Sequence, residues 1–97
     1  MSTYWQRLDQ KLTARAKRIY KVCFDKKFPK GWSFLWWFHG ATDRHCKQLL
    51  HVGGLRDRRD MDTLCHELLH VRLPKMRHGK QFEKRVRKMV RVAERVK

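Results

Sequence analysis

Residues 65 to 82 read CHELLHVRLPKMRHGKQF and hold three of the chain's six histidines, with Glu67 directly after the first. His66 and His70 stand four apart, so on a helix they stack one turn apart and can hold one cation together. Glu67 lies about 100° round from His66, beside such a site, where a general base for a metal-activated water belongs. Two imidazoles hold zinc poorly, and catalytic zinc sites supply three protein ligands and leave the fourth position to water. His78 is the natural third ligand. Pro74 ends the helix, and the residues between His70 and His78 suffice to bring the chain back beneath it. Gly79 lends backbone freedom beside that ligand. Three imidazoles with water favour Zn2+, one ion, over other divalent cations. An HExxH arises by chance in roughly 1 in 100 chains of this length and composition. Two plainer readings stand beside the catalytic one: ordinary imidazoles with Glu67 as an ion-pair partner, and a metal site that only holds the fold together.

The elements that must position these residues follow from periodicity. Trp5, Leu8, Leu12, Ala16, Ile19 and Cys23 step by three and four, which predicts a helix over residues 4 to 24, with Ser2 or Thr3 as its cap. FPKG at 28 to 31 turns the chain. WSFLWWFH (32 to 39) and HCKQLLHV (45 to 52) read as strands joined by GATDR, an antiparallel hairpin. Asp60 or Asp62 caps the next helix, which runs to Pro74 and is apolar nearly all round at Leu64, Cys65, Leu68, Leu69 and Val71. Such a helix belongs at the centre of a fold, and His66, Glu67 and His70 share its one remaining sector. A last helix, 80 to 96, buries Phe82, Val86, Met89, Val90, Ala93 and Val96. The expected fold is one α+β domain over residues 1 to 97: N-terminal helix, small antiparallel β-hairpin, central HExxH helix and C-terminal helix.

Composition limits the partners. The formal charge is +16, from 25 Lys and Arg against 9 Asp and Glu, and an excess of this size favours a polyanionic partner, nucleic acid before an anionic membrane. Lys80, Lys84, Arg87, Lys88, Arg91 and Arg95 line the outer face of the last helix and are expected to contact phosphate. The aromatic run 32 to 38 fits a buried core strand, with a base-stacking platform as its second reading. Three cysteines without CxxC spacing (Cys23, Cys46, Cys65) fit neither a disulfide framework nor a cysteine-rich zinc finger and read as reduced packing residues. MSTYWQRLDQ lacks the apolar run of a signal peptide, and no stretch reaches the ~20 apolar residues of a membrane span. A cytoplasmic monomer without membrane contact is expected.

HELLH followed by HGKQF resembles the SprT-like zinc metallopeptidases and their minimal relatives, the WLM and YgjP-like groups. Members use HExxH and a downstream His-Gly-x-x-aromatic segment. The motif match covers residues 66 to 82, and the order of elements extends it over most of the chain. The resemblance implies a minimal zincin-like domain, with His66, His70 and His78 as ligands and Glu67 as catalytic base. It also implies a zinc-dependent metalloendopeptidase acting on a protein or peptide substrate. The step from His70 to His78 is shorter than in many SprT proteins and nearer the YgjP-like pattern. No four-cysteine zinc ribbon accompanies the motif, so a single ion is expected. Some members of the family cleave DNA-bound proteins, which is coherent with the basic charge and points to nucleic-acid-associated substrates. The oxyanion donor is open among His39, His45, His51 and Tyr20. The alternative from another class is a basic nucleic-acid-binding protein whose zinc is structural and not catalytic. A third is an interaction module for an acidic protein.

Overall fold

Three helices and two short strands follow one another as α1 (Tyr4–Phe24), β1 (Ser33–Trp36), β2 (Leu49–Val52), α2 (Arg58–Arg72) and α3 (Lys80–Ala93). The computed structural model of the chain describes residues 4–36, 49–52, 54–55 and 57–96. The result is a small, mostly helical domain with a minor β component.

Helix α1 has the expected bounds. Leu12, Ala16 and Ile19 are buried and Cys23 half-buried, as the three-and-four stripe requires, and Tyr20 joins them in the core. Trp5 and Leu8 lie outside the described side chains, and the expected caps Ser2 and Thr3 lie outside the described residues. The helix stops at Asp25, which takes a left-handed φ of 53° while its N–H donates to the Lys21 carbonyl at 2.8 Å. The FPKG turn then needs its glycine: Gly31 has φ 94°, a conformation a Cβ opposes.

Helix α2 begins one turn earlier than the sequence reading places it. Asp57, not Asp60 or Asp62, is the cap, and its carboxylate accepts from the Asp60 N–H at 2.9 Å. Asp60 thereby falls in the first turn, where a carboxylate meets the positive end of the helix dipole. The helix ends at Arg72, because Leu73 precedes Pro74 and adopts φ −128°, ψ 72°. Met61, Leu64, Cys65, Leu68 and Leu69 are buried, the last four completely, where α2 packs against both α1 and α3. Each buried leucine contributes about 1.5–3 kcal/mol relative to exposure. Val71 is half-buried. The central position expected of this helix is the one it occupies.

Helix α3 buries Phe82, Val86, Met89, Val90 and Ala93, all from the expected stripe. Its regular part ends at Ala93, short of residue 96. The chain then tightens, with Arg95 N–H bonded to the Val92 carbonyl and Val96 N–H to that of Ala93. Val96 still packs on the core, and the Arg15 Nε donates to the Val96 carbonyl at 3.0 Å, pinning this end to α1.

The strands correct the sequence reading. β1 and β2 pair in parallel, Ser33 with Leu49 through Trp36 with Val52, and not as an antiparallel hairpin. A hairpin needs only a tight turn, whereas a parallel pair needs a connection of about a dozen residues that returns along the strand. GATDR, Trp37, Phe38 and the first part of the second expected strand, residues 45–48, lie outside the described residues. Phe34 and Trp36 alternate onto one face and stack at 5.0 Å, and Phe34 stacks in turn on Phe28 at 5.3 Å. Phe28 meets Tyr20 edge-on at 5.2 Å, and the Trp36 Nε1–H donates to the Thr13 hydroxyl at 3.0 Å. These described rings of the aromatic run are engaged in packing β1 onto α1.

Candidate metal centre

The site is built where the end of α2 meets the start of α3. His66 and His70 project from successive turns of α2, held half-buried because Leu64, Cys65, Leu68 and Leu69 anchor the rest of that helix. Residues 73 to 79 then return the chain, and exposed His78 faces the pair. The Nε2 of His70 lies 3.1 Å from that of His66 and 2.8 Å from that of His78. One ligand nitrogen from each residue falls within 4.8 Å of the others. A tetrahedral ion with metal–nitrogen bonds of about 2.0–2.1 Å separates its ligand nitrogens by about 3.3–3.4 Å. The three histidines therefore lie close enough to bind one metal ion, with the same nitrogen of each ring turned inward.

Phe82 forms the floor. Its ring, buried on the first turn of α3, is 4.8 Å from His66 and 4.9 Å from both His70 and His78, centroid to centroid. The aromatic position of the HGKQF segment thus supports all three imidazoles at once. Gly79 is another correction. Its φ of 166° is extended backbone open to any residue, and a Cβ there meets nothing within 4 Å. The glycine is not required for the turn beside His78.

Burial, aided by the neighbouring imidazoles, favours the neutral form of the helical pair. Burial lowers the His66 pKa first, and His78 lowers it further, against a partial rise from Asp62. Burial likewise lowers that of His70, joined by His66 and His78 and opposed by Glu67. Neutral imidazole is the form that binds a cation. Glu67 is half-buried, on α2 next to His66, and close enough to His70 for its charge to be felt there.

The three-histidine cluster borders a cleft of about 400 Å3 lined by Asp62, His66, His78, Phe82, Glu83, Val86 and Arg87. Asp62 and Glu83 are cleft residues that the sequence reading did not assign. Asp62 had a legible signal: it stands four residues before His66, so it shares the imidazole face of α2. Glu83 had none, because its place depends on how α3 docks. Of the oxyanion-donor options, Tyr20 is buried in the core, the side chain of His51 lies outside those described, and His39 and His45 lie outside the described residues.

The basic residues are where the helical spacing puts them. Lys80, Lys84, Arg87, Lys88, Arg91 and Arg95 are all exposed, opposite the buried stripe of α3. No helix among the described residues is long and apolar enough to cross a membrane. No protein-family model matches the chain, and neither a curated protein nor a solved structure matches it.

Proposed function

We propose that the chain is a zinc-dependent metallopeptidase with a minimal zincin-like domain of SprT-like type. The observation that carries this reading is the convergence of three Nε2 atoms from an HExxH helix and a following histidine, with Glu67 beside them. His66, His70 and His78 hold the ion, and three imidazoles with an open fourth position fit zinc. Bound there, zinc supplies Lewis acidity toward a peptide carbonyl and makes water at the site easier to deprotonate. Glu67 takes the proton from the attacking water and returns it to the departing amine nitrogen. Phe82 and the buried face of α2 hold the imidazoles in place while this occurs. β2 packs against α2, the helix that carries His66 and His70, and an extended substrate segment adds to a strand edge of this small sheet. Unfolded or extended segments are therefore the substrates, and compact folded proteins are cut poorly. Proteins associated with nucleic acid are the substrate class that the basic charge favours.

Digestion of casein by zinc-loaded protein tests the proposal. Wild type cleaves it, and Glu67→Gln loses roughly 10²–10⁴-fold in rate while retaining its zinc. Equal cleavage by Glu67→Gln, or no cleavage by zinc-loaded wild type, overturns the catalytic reading. A second reading is favoured by Phe82, which joins α3 to all three imidazoles: the metal then only clamps α2 to α3 in a nucleic-acid-binding protein. In that case zinc raises stability and no substrate is cut.

A further inference from the structure

The chain's positive charge is arranged on α3 as well as abundant overall. At about 100° per residue, Lys80, Lys84, Arg87, Lys88 and Arg91 fall within a sector about 100° wide, centred opposite Phe82, Val86, Met89 and Ala93, with exposed Arg85 beyond its edge and Arg95 extending the same face past the helix end. From Lys80 to Arg91 the rise is about 16 Å, and the opposite side of the helix is held in the core. Among the described residues Arg87 alone of these has an ion-pair partner, Glu83 at 3.8 Å, and both side chains are about two-thirds exposed, so water screens the contact. Among the described residues no carboxylate pairs with Lys80, Lys84, Lys88, Arg91 or Arg95.

We propose that this face of α3 is a docking surface for double-stranded nucleic acid, read through its phosphates and without regard to sequence. A rigid row of cations suits a regular row of phosphates. Two alternatives fit less well. A surface-seeking membrane helix inserts its apolar face, but the apolar face of α3 is occupied by the core. Single strands are held by aromatic stacking, and the exposed residues of α3 include no aromatic side chain. Gln81 is the one uncharged polar side chain on the exposed part of the helix, so the face offers phosphate contacts and little base readout. Arg87 belongs both to this face and to the cleft at the metal centre, which sets a bound duplex alongside that cleft. The inference stands whether or not the metal centre is catalytic.

Binding of a 25-base-pair duplex of arbitrary sequence, measured by fluorescence anisotropy on the full chain at several salt concentrations, tests the surface. With about five phosphate contacts, affinity falls roughly 10²–10³-fold between 50 and 200 mM salt. Lys84→Gln/Lys88→Gln/Arg91→Gln weakens binding at least tenfold and flattens the log–log salt slope by about 3. The control Lys11→Gln/Lys17→Gln/Lys26→Gln removes the same charge from exposed positions elsewhere and changes affinity less than threefold. Circular dichroism confirms that both variants are folded, and Glu67→Gln binds as wild type does. Equal losses in the two triple variants would mean that net charge, not this face, binds. Salt-insensitive binding, absence of duplex binding at 50 mM salt, or stronger binding to phosphatidylserine–phosphatidylcholine vesicles or to single strands each overturns the proposal.

Discussion

At the residue scale, HELLH carries most of what is legible, because its meaning is local. Once a helix forms, the four-residue step fixes His66 over His70, and nothing remote can separate them. His78 depended on the path of residues 73 to 79, which chain length permits and tertiary packing decides. Its Nε2, 2.8 Å from that of His70, makes it the informative position to change. His78→Ala is expected to weaken zinc by more than the 10–100-fold that loss of a ligand's outer hydrogen-bond partner costs, measured by competition with a chromophoric chelator. Gly79→Ala is expected to do almost nothing, within about 1 kcal/mol in stability and with zinc affinity unchanged, since its backbone is extended and the space is open. Cys65 marks the core in another way. Burial first, then Cys23, Asp62 and Glu94, push its thiol up to about 12. The folded state keeps this proton while an unfolded thiol releases it near 9, so Cys65 contributes stability that is lost as pH rises from about 9 toward 12. At pH 8, peptide mapping after brief iodoacetamide treatment is expected to find Cys65 unmodified in the folded protein and alkylated in urea.

At the element scale, the helices were readable and the strand pairing was not. Each helix announces itself by a stripe at steps of three and four, and Leu12, Ala16, Ile19, Phe82, Val86 and Met89 are buried as their spacing demands. Helix starts are subtler: Asp57, Asp60 and Asp62 all suit a cap, and the winner is the one whose carboxylate reaches the backbone three residues on. Strand direction has no local signature. The side chains of Phe34 and Trp36 share a face whether the partner runs parallel or antiparallel, so alternation left that choice open. Stability changes follow the same ranking of elements. Leu68→Ala, at a completely buried position on the central helix, is expected to cost 2–5 kcal/mol in urea unfolding. Asp57→Ala, which removes one cap bond at an exposed helix end, is expected to cost about 1 kcal/mol.

For the whole molecule, α3 links two features that the sequence presents separately. Its first turn supplies the buried Phe82 under the imidazoles, and its outer face carries the cations. The cleft shows what a linear reading misses: Asp62 and Glu83 come from different helices and meet there only because α3 docks against α2. A metal bound between residues 66, 70 and 78 clamps those helices together, so it stabilises the folded state as a ligand does. Zinc at 100 times its Kd is expected to add about 2.7 kcal/mol, seen as a higher thermal midpoint that a chelator reverses. X-ray absorption at the zinc edge of the loaded protein tests the centre of this account most directly. Three imidazole nitrogens at about 2.0–2.1 Å with one further light atom are expected. Sulfur scattering near 2.3 Å, or two imidazoles or fewer, would contradict it.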